Sequence, residues 1–140
     1  MIARRYLVAL AGARLISACA GTPSNVSADG TSQTTVYLVR HAEKQKGDDP
    51  SLTDAGHIRA NALASVLSSA DLDYIHSSDY ARTRETAAPI AALTGLPVAI
   101  YDAGNLEAIA AEILLIQGTH LVVGHSNTTP KRVEILGVNV

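Results

Sequence analysis

The sequence contains no phenylalanine, no tryptophan and a single cysteine. One cysteine excludes an internal disulfide. Without Phe and Trp, we expect a core built from Leu, Ile, Val and Ala. Hydrophobic residues make up 47% of the 140 residues, which is sufficient for one domain. Only 17% of the residues are charged and the net charge is −2. This balance argues against nucleic-acid binding, which requires a concentrated basic surface.

The single cysteine, Cys19, ends a stretch that has the features of an export signal. Two arginines precede an apolar run at 6–13, and small residues follow it. That run is too short for a spanning helix, which needs about 20 residues. The four residues up to Cys19 resemble a bacterial lipobox, although Arg14 departs from the pattern. We therefore expect a signal peptide over 1–18 and an exported protein, periplasmic or at the cell surface. A lipid on Cys19 would be its membrane anchor; the alternative is a buried N-terminal helix with a core cysteine.

Residues 19–33 are rich in Gly, Ser and Thr and show no apolar periodicity, which is typical of a flexible tether. The remaining residues, 34–140, alternate short apolar strands with helices, as in an α/β domain. Strands are predicted at about 36–39, 73–77, 96–100 and 121–123, and helices at about 53–67, 80–93, 106–117 and 130–136.

Apolar spacing also predicts which helix faces are buried. For the first helix the expected face is Ile58, Ala62, Leu63, Val66 and Leu67; for the third it is Leu106, Ile109, Ala110, Ile113 and Leu114.

Two of the predicted strands are followed directly by a histidine. Arg40 and His41 end the first strand, and His125 follows the last. Ligands of parallel sheets bind beyond the carboxyl ends of the strands, so both imidazoles are expected at one pocket. Arg82 lies in the first turn of a predicted helix, where it can reach back to the strand ends, and helix N-termini favour phosphate. Arg84 faces elsewhere on that helix and is the second choice.

These segments resemble the histidine phosphatase, or phosphoglycerate mutase-like, superfamily. Four blocks fit its pattern in the right order over roughly 36–136: Leu38-Val39-Arg40-His41-Ala42-Glu43, Leu52-Thr53-Asp54-Ala55-Gly56, Ser77-Ser78-Asp79-Tyr80-Ala81-Arg82-Thr83-Arg84-Glu85-Thr86-Ala87 and Val122-Val123-Gly124-His125-Ser126-Asn127. The resemblance implies a three-layer α/β/α sandwich around a mainly parallel sheet. It also implies that His41 forms a phosphohistidine, while Arg40, Arg82 and His125 surround the phosphoryl group.

The residue types suit that chemistry. A neutral histidine can attack phosphorus if its other ring N–H is held by an acceptor. Arginine matches phosphate oxygens with paired donors and stabilises the charge of the transition state. A general acid must also protonate the leaving oxygen. Glu107 is the first candidate and Asp102 the second, with Glu43 also considered; each could instead be an ordinary surface carboxylate.

The remaining histidines do not suggest a metal site. No His-Glu-x-x-His or similar ligand spacing occurs, so neither a metal nor another cofactor is expected. We expect His57 to be exposed or at a pocket rim, and His76 to be packed or solvated.

The predicted function is metal-independent hydrolysis of phosphomonoesters, on a small phosphorylated substrate or a phosphoprotein. One alternative is a phosphoglycerate mutase, which export and the few additional basic residues near the motifs disfavour. The other is a non-catalytic envelope lipoprotein that keeps a phosphate-binding pocket. Relatives usually continue past the last helix, whereas this sequence ends at 137–140, so we expect either a minimal fold or a domain shortened at its C-terminus. No loop identifies the substrate, and no feature indicates an oligomeric state.

Overall fold

The computed structural model describes residues 33–127. Within them strands and helices alternate as predicted: β1 Thr35–Arg40, α1 Asp54–Val66, β2 Tyr74–Ser78, α2 Ala81–Thr94, β3 Val98–Tyr101, α3 Leu106–Ile116 and β4 Thr119–Gly124, with a short 3-10 turn at Leu67–Ser69 after α1. The expected signal peptide, Cys19 and the helix predicted at about 130–136 lie outside the described residues.

The four strands form one sheet in the order β1-β4-β2-β3, and every neighbouring pair is parallel. Because parallel strands all point the same way, their carboxyl ends meet at one edge of the sheet. The first and last strands pair in register, with Arg40 opposite Gly124. The predicted parallel α/β sheet is therefore confirmed, and the two strands that precede histidines are neighbours.

Helices cover both faces of this sheet. Residues of β4 alternate between the two sides: Leu121 and Val123 pack with α1 and α2, whereas Val122 packs with α3. Leu121, Val122 and Val123 are completely buried, as expected for a central strand between two layers of helix. The three-layer sandwich is thus built from small and branched aliphatic side chains. Within 33–127, no helix combines the length and the apolar character that crossing a membrane would require.

The caps of the helices follow the sequence. Thr53 caps α1 by accepting a hydrogen bond from the Gly56 N–H at 3.1 Å, and Asn105 caps α3 by accepting from the Ala108 N–H at 3.2 Å. Gly95 ends α2 with a φ of 74°, a conformation that glycine adopts without strain.

The predicted buried face of α1 was largely wrong. Ile58 and Val66 are 71% and 74% exposed, while the buried positions are the small residues Gly56, Ala60 and Ala64. These three follow an i, i+4 spacing, so the helix turns its smallest side chains towards its neighbours and packs closely. Of the other residues of the predicted face, Leu67 is buried, Leu63 is partly buried and Ala62 is exposed. In α3 the predicted face is correct except for Leu114, which is 55% exposed.

Candidate active site

The site lies where β1 and β4 end side by side. The backbone N–H of His41 donates to the Gly124 carbonyl at 2.9 Å, which extends the pairing of the two strands by one residue. His41 and His125 leave these neighbouring ends together, and their rings meet edge to face with centroids 5.4 Å apart. The structure therefore brings both predicted histidines into contact.

His41 is held in one tautomer. Its side chain is buried, and Nδ1 donates to the Ala42 carbonyl at 2.7 Å, which leaves Nε2 without a proton. Burial lowers the pKa of His41, and this outweighs the bond to Ala42, which raises it; the positive charges of Arg82, Arg40 and Lys44 lower the pKa further. His41 is therefore a neutral imidazole with Nε2 as its free nucleophilic nitrogen.

Arg82, in the first turn of α2, supplies the buried positive charge. Its side chain is only 11% exposed. One terminal nitrogen, Nη2, donates to His125 Nε2 at 2.8 Å, and Nη1 lies 3.4 Å from Asp49 Oδ1. The guanidinium lies 4.4 Å from the centroid of the Tyr80 ring. Its Nε is buried and has no hydrogen-bond partner among residues 33–127.

Two cavities open at this edge of the sheet. One, of about 440 Å³, is lined by Tyr80, Arg82, Ala103, Gly104, His125 and Asn127. The other, of about 360 Å³, is lined by Arg40, His41, Ala42, Glu43, Lys44 and Arg59. Each is lined by two of the four residues predicted to act on phosphate, and one of the two neighbouring histidines lines each cavity.

Two α2 side chains that the sequence analysis did not single out fix the loops around His41. Thr86 Oγ1 accepts from the Ala42 N–H at 3.0 Å and donates to the Arg82 carbonyl at 2.7 Å. Glu85 Oε2 accepts from the Leu52 N–H at 2.7 Å. Arg82, Glu85 and Thr86 lie at i, i+3 and i+4, so they share one helix face. That spacing is the sequence signal that could have identified them.

Asp49 was also not predicted, and it contacts the site from the loop between β1 and α1. Its Oδ1 accepts from the Ala81 N–H at 2.9 Å, at the start of α2, and lies beside Arg82. A carboxylate at a helix N-terminus and next to a guanidinium takes the place that an anionic ligand would prefer. Nothing in the local sequence signals this contact, because Asp49 and Ala81 come from separate segments.

The three candidate general acids have different surroundings in the structure. Glu43 lines the cavity beside His41, but its carboxylate lies 2.6 Å from Arg59 Nη1, and this hydrogen bond lowers the pKa of Glu43. Asp102 is exposed and accepts from the Gly104 N–H at 2.8 Å. Glu107 is exposed in the first turn of α3. Neither Asp102 nor Glu107 lines either cavity.

The other predicted residues lie away from the two cavities. Arg84 is exposed and pairs with Asp79. His57 is exposed, with Nε2 3.9 Å from Glu85 Oε2. His76 is buried and packed, within 3.1 Å of His120 Nδ1. No group of three or more His, Cys, Asp or Glu side chains between residues 33 and 127 is arranged to hold a metal ion.

The fold and the site together define a parallel α/β protein with a cluster of arginine and histidine side chains at the ends of its strands. The sequence model of branch 1 of the histidine phosphatase superfamily matches residues 36–104, which include Arg40, His41 and Arg82. The chain belongs to the histidine phosphatase superfamily.

Solved structures give the same result. A protein from Agrobacterium tumefaciens designated a candidate phosphohistidine phosphatase, SixA, is 25% identical; the match covers 76% of this chain and 78% of that one, with a TM-score of 0.65. A candidate SixA from Nakamurella multipartitia is 29% identical over 71% of this chain and 63% of that one, with a TM-score of 0.56. A candidate alpha-ribazole-5'-phosphate phosphatase from Escherichia coli K-12 shares the fold at 17% identity, covering 76% and 82%, with a TM-score of 0.67. A comparison with curated protein sequences found no significant match.

Proposed function

We propose that the protein is a metal-independent phosphohydrolase that cleaves phosphomonoesters through a phosphohistidine on His41. The observation that carries the proposal is the pairing of a neutral, oriented imidazole with a buried guanidinium. His41 presents an unprotonated Nε2, because Nδ1 donates to the Ala42 carbonyl. Arg82 lies close enough for its charge to lower the pKa of His41. In the proposed reaction, a phosphoryl group attacked by Nε2 is held by the charge of this guanidinium.

The reaction proceeds in two steps. The lone pair of His41 Nε2 attacks phosphorus, the bond from phosphorus to the leaving oxygen breaks, and the leaving oxygen takes a proton. Water then attacks phosphorus and gives one proton back to the carboxylate that acted as the acid, while the bond from phosphorus to Nε2 breaks; the products are inorganic phosphate and the neutral imidazole. Arg40, Arg82 and His125 hold the phosphoryl oxygens and stabilise the charge of both transition states. For the proton we propose Glu107, and then Asp102, because both follow β3 at the edge where the strands end.

A second candidate is hydrolysis of an N-phosphorylated histidine on a protein. The relatives from Agrobacterium tumefaciens and Nakamurella multipartitia are designated phosphohistidine phosphatases. In addition, among residues 33–127 the carboxylate that lines a cavity is Glu43, whose pKa is lowered by Arg59. An alkoxide leaving group needs a carboxylic acid to protonate it. An imidazole leaving group needs this acid less, because its nitrogen is readily protonated near neutral pH.

The test is hydrolysis of 4-nitrophenyl phosphate in the presence of EDTA. We expect turnover in the wild-type protein, loss of at least about 10³-fold in His41→Ala, and little change in His57→Ala, which removes an exposed histidine. Quenching in alkaline denaturant should trap a phosphorylated protein whose label is stable in alkali and is lost in acid. Turnover that requires a metal, or that survives in His41→Ala, would contradict the mechanism.

The same experiment separates the other functions. Phosphate binding by a folded wild-type protein without turnover supports the non-catalytic binding protein. Transfer of the label to a second phosphate ester, faster than its release as inorganic phosphate, supports a mutase.

A further inference from the structure

The cavity beside His41 carries more positive charge than catalysis requires. Three cationic side chains line it, together with one carboxylate: Arg40, Lys44, Arg59 and Glu43. The phosphoryl group in the proposed reaction uses Arg40 on this side. Lys44 and Arg59 are therefore additional, and the sequence analysis, which counted few extra basic residues near the motifs, did not place them here.

These cations are incompletely neutralised. Arg59 pairs with Glu43 at 2.6 Å, on the surface, with both side chains about half exposed. Lys44 Nζ contacts a backbone carbonyl, that of Gln45, at 3.3 Å. Neither Arg40 nor Lys44 forms an ion pair within residues 33–127. One carboxylate thus faces three cations.

The charge acts on the reacting group itself. Both Arg40 and Lys44 contribute to lowering the pKa of His41. A positive cavity that reaches the nucleophile attracts an anion attached to the group that is being transferred. An apolar or neutral leaving group would leave these cations hydrated and gain nothing from them.

We propose that this cavity is a second anion subsite, lined by Lys44 and Arg59, and that the preferred substrates carry a second anionic group on the leaving portion. The inference rests on the proposed function and specifies its substrate class: a phosphorylated compound with a carboxylate or a further phosphate. In-line attack places the leaving oxygen opposite His41, so the second anion reaches the cavity through a flexible arm.

Two phosphates that differ in charge and hardly in shape test the subsite. 3-(Carboxymethyl)phenyl phosphate carries a carboxylate on a rotatable methylene, and 3-(carbamoylmethyl)phenyl phosphate carries the neutral amide. The readout is the ratio of their kcat/KM values in the same protein. We expect a ratio of about five or more in favour of the carboxylate, the value of one or two partly exposed ion pairs.

Substitutions of single charged residues test whether the preference for the carboxylate compound arises in this cavity. Lys44→Gln should lower the ratio roughly two- to fivefold. Glu43→Gln should raise it, since it removes the carboxylate that competes for Arg59. Lys46→Gln is the matched control, because Lys46 lies in the same loop and does not line the cavity. A ratio of one in the wild-type protein, or equal losses in Lys44→Gln and Lys46→Gln, would overturn the subsite.

Failure of the proposed function gives a different pattern. If neither compound nor 4-nitrophenyl phosphate is hydrolysed, the phosphohydrolase proposal fails. The subsite is then tested by calorimetry on the same proteins, as the ratio of the dissociation constants of the two compounds. A stronger binding of the carboxylate that is lost in Lys44→Gln supports the subsite, and equal binding overturns it.

Discussion

At the scale of single residues, the neutrality of His41 follows from its surroundings. The Ala42 carbonyl fixes the proton on Nδ1, while burial and three nearby cations oppose a second proton on Nε2. A histidine in water would be partly protonated near pH 6.5, which would block attack on phosphorus. The same cations that would bind phosphate thus keep the nucleophile reactive.

The pH dependence of catalysis follows from this arrangement. Because neutral His41 is the reactive form, we expect kcat/KM to fall only as the pH drops below 6.5, through the lowered pKa. Arg40→Gln removes one of the charges that lower the pKa, so the acid limb should move to higher pH even where the absolute rate is reduced. Measurement of kcat/KM from about pH 4 to pH 8 gives the acid limb of the wild-type protein and that of Arg40→Gln. An unchanged acid limb in Arg40→Gln would contradict the electrostatic explanation.

The same shift affects stability. Below pH 6.5 the unfolded chain binds a proton at His41 that the native state still excludes. The free energy of unfolding therefore decreases as the pH falls from 6.5 towards the lowered pKa of His41, and this loss is absent in His41→Ala.

Asp49 is expected to compete with phosphate. Its carboxylate lies beside Arg82 and accepts from the Ala81 N–H, so a bound anion meets its repulsion. Asp49→Asn should lower the inhibition constant of inorganic phosphate roughly two- to fivefold, while its amide oxygen still accepts from Ala81. Asp49→Ala should in addition lose about 1 kcal/mol of stability, because the helix N-terminus loses its acceptor. Weaker phosphate inhibition in Asp49→Asn would show that Asp49 positions Arg82 for binding.

At the scale of elements, α2 connects the segments that form the site. Arg82 contacts His125 after β4, Thr86 holds Ala42 after β1, and Glu85 holds Leu52 before α1. α2 is also bonded to β2, the strand that precedes it, since Thr83 Oγ1 donates to the Ser78 carbonyl at 2.8 Å. One helix face therefore sets the positions of three chain segments.

Local sequence predicted the parts of the site that lie at element ends. The apolar segments of β1 and β4 end next to His41 and His125. The position of Arg82 in the first turn follows from where its helix begins. Asp49 could not be predicted, because its partners lie on another segment and only the folded chain brings them together. The buried face of α1 was missed for a related reason. Large aliphatic residues usually mark the core, whereas here Ala60 and Gly56 are buried, and the backbone of Glu43 comes close to Gly56.

Gly56 gives a test in which two effects have opposite signs. Helix propensity alone predicts that Gly56→Ala stabilises α1 by about 1 kcal/mol. A Cβ at this position would lie 2.1 Å from the Glu43 carbonyl oxygen, which also accepts from the Thr53 N–H at 2.9 Å. We therefore expect a loss of about 1–3 kcal/mol in thermal or urea unfolding, with reduced kcat because the loop after His41 shifts.

Ser65→Ala is the control for Gly56→Ala, because Ser65 lies on the exposed side of the same helix. It should change stability by no more than about 0.5 kcal/mol. A Gly56→Ala protein that is as stable as this control would show that the contact with Glu43 is not tight.

At the scale of the whole molecule, the parallel sheet places every strand end at one edge. The helices on either face bury the strands, and Arg40, His41 and His125 lie at that edge. Phosphate chemistry therefore requires no insertion into the core. The surrounding loops can differ between relatives while the strand ends stay in place.

We propose that the chain is exported and anchored by a lipid on Cys19, on the basis of the sequence before the described residues. Mass spectrometry of the membrane fraction should then show a mature N-terminus at an acylated Cys19, and Cys19→Ser should abolish the acyl mass. An N-terminus that retains Met1 would contradict the proposal.

The pairing of β1 with β4 has a consequence for folding. Within the described sheet β1 has one neighbour, β4, and the two strands lie at opposite ends of that part of the chain. Contacts between distant segments form late and slowly, since a long loop must close first. On the ribosome, the strand before His41 meets its partner in the described sheet only after Gly124 has emerged. His41 is therefore translated well before β4 can hold it, and a nascent chain that stops short of β4 lacks the register that aligns the two histidines.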